Sequence, residues 1–169
     1  NNIIKLHTDR YSKTDTIIRE LDQSRDPYDW YKGWVGDPDS VTVYIDPNFT
    51  PAQKAEIQSA IDRWNNEGCV PALKTVTTSP ANVNIKRNDA LGGGGKCTLY
   101  GNAATGEVSR AEIEIDTDGE PGFANTSVGE LTTHELGHAL GLDHTNNAAD
   151  VMKSKGSNGN NGALSAEDK

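Results

Sequence analysis

Three histidines and one glutamate fall within eleven residues near the end of the sequence. His134 and His138 are four residues apart, so a helix would place both imidazoles on one face. Gly141 can adopt the left-handed conformation that ends a helix, and the reversal would carry His144 back to the same point. Three neutral imidazoles with a fourth position left open are the ligand set of a catalytic zinc site. Glu135 would lie beside the open position and accept a proton from a water molecule there.

A helix that contains histidines by coincidence is a poor explanation of this segment. Three of the four histidines of the chain lie in it, and only His7 is left over. Chance would produce the full pattern in roughly 10⁻⁵ of chains of this composition. A homologue that binds zinc but has lost catalysis stays open as the alternative, with Glu135 as the residue that argues against it.

The composition excludes several classes of protein. The chain has 169 residues, a length that fits one domain. It carries 25 acidic against 16 basic residues and a formal net charge of −9, which argues against nucleic acid as a partner. No apolar run approaches the ~18 residues that a membrane span requires, so we predict no membrane span.

Short local patterns predict the elements that must position the histidines. Their helix begins at Ser127, because Ser127 and Glu130 form a capping-box pattern. A second helix over residues 50–66 has a threonine cap, a proline at its first position and a glycine at its end. Runs of β-branched or alternating apolar residues predict four strands, at residues 41–45, 73–77, 82–86 and 108–115. Residues 1–37 have no clear fold signal.

Residues 134–144 resemble the extended zinc motif of the metzincin metalloendopeptidases. Met152 follows the last histidine by eight residues, where that clan has its methionine turn. Within the clan the segment is most similar to the matrixins, the matrix-metalloproteinase type, because astacins have Glu and adamalysins Asp where this chain has Thr145. Astacins and serralysins also carry a tyrosine just past the methionine, where Lys153 and Ser154 stand here. The narrower alternative is that the chain is a metzincin of the astacin or the serralysin branch.

The matrixin resemblance implies an α+β zincin fold. Its expected parts are a twisted mixed five-stranded sheet, an active-site helix and a small C-terminal lobe. The catalytic domain would span residues 38–169, divided into an upper subdomain over 38–141 and a lower subdomain over 142–169. Residues 1–37 would then be an N-terminal arm or a retained pro-segment.

The resemblance also implies a fifth strand at residues 98–103, on the upper rim of the cleft. An extended peptide substrate would lie antiparallel to this strand and be held by backbone hydrogen bonds. The candidate residues for this contact are Leu99, Tyr100, Gly101 and Asn102.

The function that follows is hydrolysis of internal peptide bonds of proteins, through a zinc-bound water activated by Glu135. The expected partners are polypeptide substrates, and we expect a monomer. One catalytic zinc is predicted. The second, structural zinc of matrixins is not predicted, because the sequence has no histidine between His7 and His134. A non-catalytic zinc-binding homologue that acts as a protein-binding module is the alternative function.

Two further expectations concern calcium and disulfide chemistry. Asp89, Asp116 and Asp118 are candidate calcium ligands, because carboxylates near a glycine-rich loop supply hard oxygen atoms; solvated loop acids are the alternative. Cys69 and Cys97 are predicted to form a disulfide, since both lie at the ends of elements. Two reduced, separately buried thiols are the other interpretation. The bridge is the main sequence argument for a secreted, extracellular protein.

Overall fold

The computed structural model describes residues 3–11, 31–36, 39–118, 127–147, 149–153 and 162–165. The elements in these residues are six strands and two helices. They are β1 Ile4–Tyr11, β2 Ser40–Ile45, α1 Pro51–Asn66, β3 Ala72–Val76, β4 Val83–Arg87, β5 Gly95–Asn102, β6 Glu107–Ile115 and α2 Val128–Ala139. Neither of the two helices in this part of the chain has the length and apolar character needed to cross a membrane.

The six strands form one mixed sheet in the order β1-β5-β6-β4-β2-β3. β2 is parallel to β3 and to β4, and β4 is parallel to β6. β5 is antiparallel to β6 on one side and to β1 on the other. The predicted α+β class is confirmed, and all five predicted strands are present. β1 adds a sixth strand, and it lies in residues 1–37, where no clear fold signal was found in the sequence.

The two helices form where local capping and burial patterns agree. In α1, the Thr50 hydroxyl accepts from the backbone N–H of Gln53 at 3.2 Å, and the Gln53 side chain accepts from the N–H of Thr50 at 2.9 Å. The buried side of α1 comprises Ile57, Ala60, Ile61 and Trp64. α1 packs against α2, and α2 in turn packs against β5 and β6. The ligand helix is therefore enclosed between a helix and the sheet.

A short segment at residues 31–36 is hydrogen-bonded both to β6 and to the end of α2. The backbone N–H of Val108 donates to Gly33 at 2.9 Å, and the N–H of Val35 donates to Val108 at 2.8 Å. The indole N–H of Trp34 donates to the carbonyl of Ala139 at 3.1 Å. This bond satisfies one of the carbonyls that the end of a helix leaves without an intrahelical partner.

Candidate metal centre

α2 is buried along nearly its whole length. Every residue from Gly129 to Ala139 is buried. The Ser127 hydroxyl accepts from the backbone N–H of Glu130 at 3.0 Å, and this bond caps the helix where the capping box was predicted. The indole N–H of Trp64 donates to the carbonyl of Thr133 at 3.0 Å. Side chains on α2 thus have little freedom to move.

The three predicted histidine ligands meet at one point. The Nε2 atoms of His134 and His138 are 3.1 Å apart, those of His134 and His144 are 3.1 Å apart, and those of His138 and His144 are 3.2 Å apart. All three side chains are buried. A tetrahedral zinc ion with Zn–N bonds of about 2.0–2.1 Å would hold its nitrogen ligands about 3.3 Å apart. The spacing therefore fits zinc, and in the described residues these histidines are the one group that could hold a metal ion.

Hydrogen bonds on the outer ring nitrogens orient two of the imidazoles. Nδ1 of His134 lies 2.7 Å from the carbonyl oxygen of Val151, and Nδ1 of His138 lies 2.8 Å from that of Leu142. A carbonyl only accepts, so each Nδ1 carries the proton and donates. Each Nε2 is then left with a lone pair directed at the centre, as a metal ligand requires.

The chain reverses after α2 in the way that the sequence predicted. Gly141 has φ of +95°, in the left-handed region that favours glycine. A Cβ atom at Gly141 would overlap the ring of Tyr31. Burial raises the pKa of Tyr31 to about 12, so the ring fills this turn as an uncharged group. The N–H of Leu142 donates to Gly137 at 3.0 Å and closes the turn that leads to His144.

Met152 lies directly against α2, opposite a glycine. Its side chain is fully buried. A Cβ atom at Gly137 would overlap Sδ of Met152 and lie 3.1 Å from Cζ2 of Trp64. The backbone N–H of Thr145 donates to the Met152 carbonyl at 2.9 Å. Met152 therefore packs beneath the helix that carries two ligands and is tied to the loop that carries the third.

The fully buried Glu135 side chain lies at the start of β5. A Cβ atom at Gly95 would be 2.6 Å from Oε1 of Glu135, so only glycine leaves the carboxylate its present position. This contact could not be predicted from the sequence. Gly95 is the last residue of the four-glycine run, and no local pattern shows which of the four meets the helix.

The candidate substrate residues lie at the other end of β5. Leu99, Tyr100 and Gly101 pair on one side with β6 and on the other with β1. β1 continues along β5 until Tyr11 pairs with Gly95. The edge that was predicted to bind a peptide is therefore paired with the chain's own N-terminal strand.

The three candidate calcium ligands lie near one another, but their oxygens have other partners. Asp89 accepts from Nε of Arg87 at 2.6 Å, and this hydrogen bond holds the pKa of Asp89 below its ordinary value. Asp116 accepts from the backbone N–H of Gly93 at 2.7 Å and from that of Asp118 at 2.9 Å. Asp118 lies 3.6 Å from the Arg87 guanidinium. A cationic side chain stands among these acids.

The predicted disulfide is not formed, and that prediction was wrong. Cys69 and Cys97 are unbridged. Cys97 is fully buried on β5, while Sγ of Cys69 lies 3.6 Å from the carbonyl of Pro71, just before β3. Three strands separate β5 from β3, a distance of about 19 Å at normal strand spacing, whereas a disulfide needs Cα atoms within about 7 Å. The prediction used only the fact that both cysteines lie near the ends of elements. The sequence does not show that these two ends lie far apart across the sheet. The prediction of a secreted protein loses its main support.

Comparison with known proteins places the chain in a family. No curated protein matches its sequence. Among solved structures it is similar to high choriolytic enzyme 1, a hatching enzyme zinc-protease from the medaka fish Oryzias latipes, with 16% identity and a TM-score of 0.41. That match covers 68% of this chain and 49% of the fish enzyme, so the chain spans about half the length of that protein. A family model described as matrixin matches residues 38–169. This match covers most of the sequence, and the chain belongs to the matrixin family.

Proposed function

We propose that the chain is a zinc-dependent endopeptidase that hydrolyses internal peptide bonds of proteins. The observation that carries the proposal is the convergence of three buried Nε2 atoms within 3.1–3.2 Å of one another, with a buried glutamate on the same helix. Membership of the matrixin family supports the same reaction class.

The site residues have two roles: the three histidines would hold the metal, and Glu135 would transfer a proton. His134, His138 and His144 would hold zinc, which when bound supplies Lewis-acid polarisation of a carbonyl and lowers the pKa of a water molecule. Glu135 accepts a proton from the attacking water and delivers it to the nitrogen of the leaving amine. Its place against Gly95 puts the carboxylate between the ligand helix and the first residue of β5.

The substrate class follows from the position of β5. An extended peptide that pairs antiparallel with this strand gains a row of backbone hydrogen bonds that do not depend on its side chains. The bond to be cut would then lie near Gly95, because that end of β5 contacts Glu135. This geometry favours internal bonds of polypeptides over free termini or small molecules.

Residues 1–37 fit the role of a retained pro-segment in this proposal. β1 pairs with β5 in the antiparallel sense expected of a substrate, and β1 also contacts α2. A peptide and β1 need the same backbone groups of β5, so they cannot both be bound. Substrate would therefore enter only when β1 leaves the edge.

The test of the function is a pair of glutamate substitutions in zinc-loaded protein. We expect Glu135→Gln to keep one bound zinc and to lose at least about 10³-fold in casein turnover, because the proton acceptor is gone while the ligands remain. Glu107→Gln is the control, since Glu107 pairs with Asn102 at the end of β5 remote from Gly95. It should keep both zinc and turnover.

Two results would count against the proposal. Near-normal turnover by the zinc-loaded Glu135→Gln variant would remove Glu135 from the reaction. Zinc-loaded wild-type protein that cuts no protein or peptide, even after its N-terminal strand has been displaced, would favour the non-catalytic protein-binding module instead.

A further inference from the structure

Asp150 is a buried acid that the proposed reaction does not use. Its side chain is fully buried, in the stretch between the third histidine and Met152. In the described residues no cationic side chain forms an ion pair with it. A buried carboxylate is costly unless hydrogen bonds compensate for its lost hydration, so its partners indicate what it does.

Both carboxylate oxygens of Asp150 accept hydrogen bonds from hydroxyl groups. The Thr145 hydroxyl donates to Oδ2 at 2.6 Å, and the Ser165 hydroxyl donates to Oδ1 at 2.6 Å. O–H···O distances of about 2.5–2.7 Å are typical of charge-assisted bonds to an ionised acid. Asp150 thus ties the residue after the third ligand to a segment near the end of the chain.

The neighbours of Asp150 connect it to two of the three ligands. Thr145 directly follows His144. Val151 directly follows Asp150, and its carbonyl accepts from Nδ1 of His134 at 2.7 Å. A rotation of the backbone at Asp150 would move the Val151 carbonyl, which orients the His134 imidazole. It would also move the hydrogen bond from the Thr145 hydroxyl, which anchors the loop that carries His144.

His144 is the ligand most in need of such an anchor. His134 and His138 have their positions set by α2, whereas His144 stands on a loop after the helix has ended. Apart from the bridge between Thr145 and Lys153, the described residues from 142 to 153 form no regular element. Contacts between side chain and backbone must therefore fix this loop.

We propose that Asp150 is a positioning residue that holds this loop so that the His134 and His144 nitrogens meet at metal-ligand distance. The inference deepens the proposed function, because it rests on zinc binding by these histidines. It does not depend on peptide hydrolysis. The two ideas can therefore fail separately.

The experiment measures zinc affinity, by competition with a chromophoric chelator, in variants of the full chain. We expect Asp150→Ala to weaken zinc binding at least about tenfold, the loss typical when groups that orient metal ligands are removed. Thr145→Val should weaken zinc binding in the same direction. The double variant should bind zinc no more weakly than Asp150→Ala alone, because both substitutions break the same hydrogen bond between Thr145 and Asp150. Asp150→Asn should recover part of the affinity, since its amide oxygen can still accept one hydroxyl bond.

Asp116→Asn is the matched control for loss of a buried carboxylate. Asp116 is also buried and also accepts two hydrogen bonds, but these come from the backbone N–H groups of Gly93 and Asp118. Its substitution should lower thermal stability and leave zinc affinity within about twofold of wild type.

The proposal is overturned if folded Asp150→Ala protein binds zinc within twofold of wild type, or if Asp116→Asn weakens zinc binding as much. If Asp150→Ala fails to fold, Thr145→Val decides: wild-type zinc affinity in that variant overturns the proposal, and a clear loss supports it. Wild-type protein that binds zinc but cuts no peptide would end the proposed function while leaving this inference standing.

Discussion

Met152 lies where a side chain can support two ligands without touching the metal. It packs against Gly137, which lies between His134 and His138 on α2. Its backbone carbonyl accepts from the loop that carries His144. A change in this side chain should therefore act through packing.

We expect Met152→Ala to keep its zinc and to lose about 2–4 kcal/mol of unfolding free energy, as core truncations do. Chemical denaturation of the zinc-loaded protein measures the loss, and metal analysis of the same sample gives the zinc content. Folded Met152→Ala protein that has lost its zinc would show that Met152 acts more directly on the metal.

The ligands could be predicted from the sequence because their geometry is local. A four-residue spacing and a glycine stop already bring His134, His138 and His144 together. Gly95 and Asp150 could not be found in that way. Gly95 matters only because β5 meets α2. Asp150 matters because it joins Thr145 to Ser165, which returns to it from fifteen residues away.

At the scale of elements, the strands that have a local sequence pattern were predicted, and the strand that depends on a distant partner was not. Strands β2 to β6 have apolar or alternating runs of their own, or a place in the matrixin pattern. β1 is an edge strand, Ile4–Tyr11, and most of its residues are polar. Its pairing depends on the free edge of β5, which no local sequence pattern reveals.

Disrupting β1 should free the edge of β5 that we propose as the substrate-binding edge. We expect Thr8→Pro/Asp9→Pro to raise the rate of peptide cleavage, by about tenfold if β1 occupies the edge nine-tenths of the time. Alternate residues of an antiparallel strand direct their N–H groups to the partner, so two adjacent prolines must remove at least one ladder bond.

Thr8→Ala/Asp9→Ala is the control for this change, because it keeps both backbone N–H groups. Hydrogen exchange of the β5 amides gives a second measurement that does not depend on activity. Unchanged cleavage together with unchanged exchange in the proline variant would show that β1 does not limit access to β5.

The region of Asp89, Asp116 and Asp118 should respond weakly to calcium. Arg87 and backbone N–H groups already use the carboxylate oxygens. We expect about 10 mM calcium, enough for weak extracellular sites, to change the unfolding temperature of wild type by less than about 1 °C.

Arg87→Gln is the informative comparison in the calcium experiment. Removing the guanidinium leaves Asp89 and Asp118 without their cation, so calcium should stabilise this variant more than wild type. Strong stabilisation of the wild-type protein would mean that calcium displaces Arg87, and the acids would then be calcium ligands as the sequence indicated.

At the scale of the whole molecule, the histidines join two parts of the chain. His134 and His138 belong to a helix enclosed by α1 and the sheet. His144 belongs to the loop that also holds Met152 and Asp150. A metal bound by all three would tie that loop to the main body of the fold, so metal binding and folding stability should be coupled.

Zinc removal should therefore lower stability as well as abolish peptide cleavage. A ligand present at about 1,000 times its dissociation constant stabilises the folded state by about 4 kcal/mol, which for a domain of this size corresponds to roughly 10 °C in unfolding temperature. Calorimetry of chelator-treated protein, before and after zinc is restored, measures the shift. His144→Ala is the control, because a protein with two of the three ligands should bind zinc weakly and show little of this gain. Equal zinc-induced stabilisation in wild type and His144→Ala would mean that zinc binds somewhere other than these three histidines.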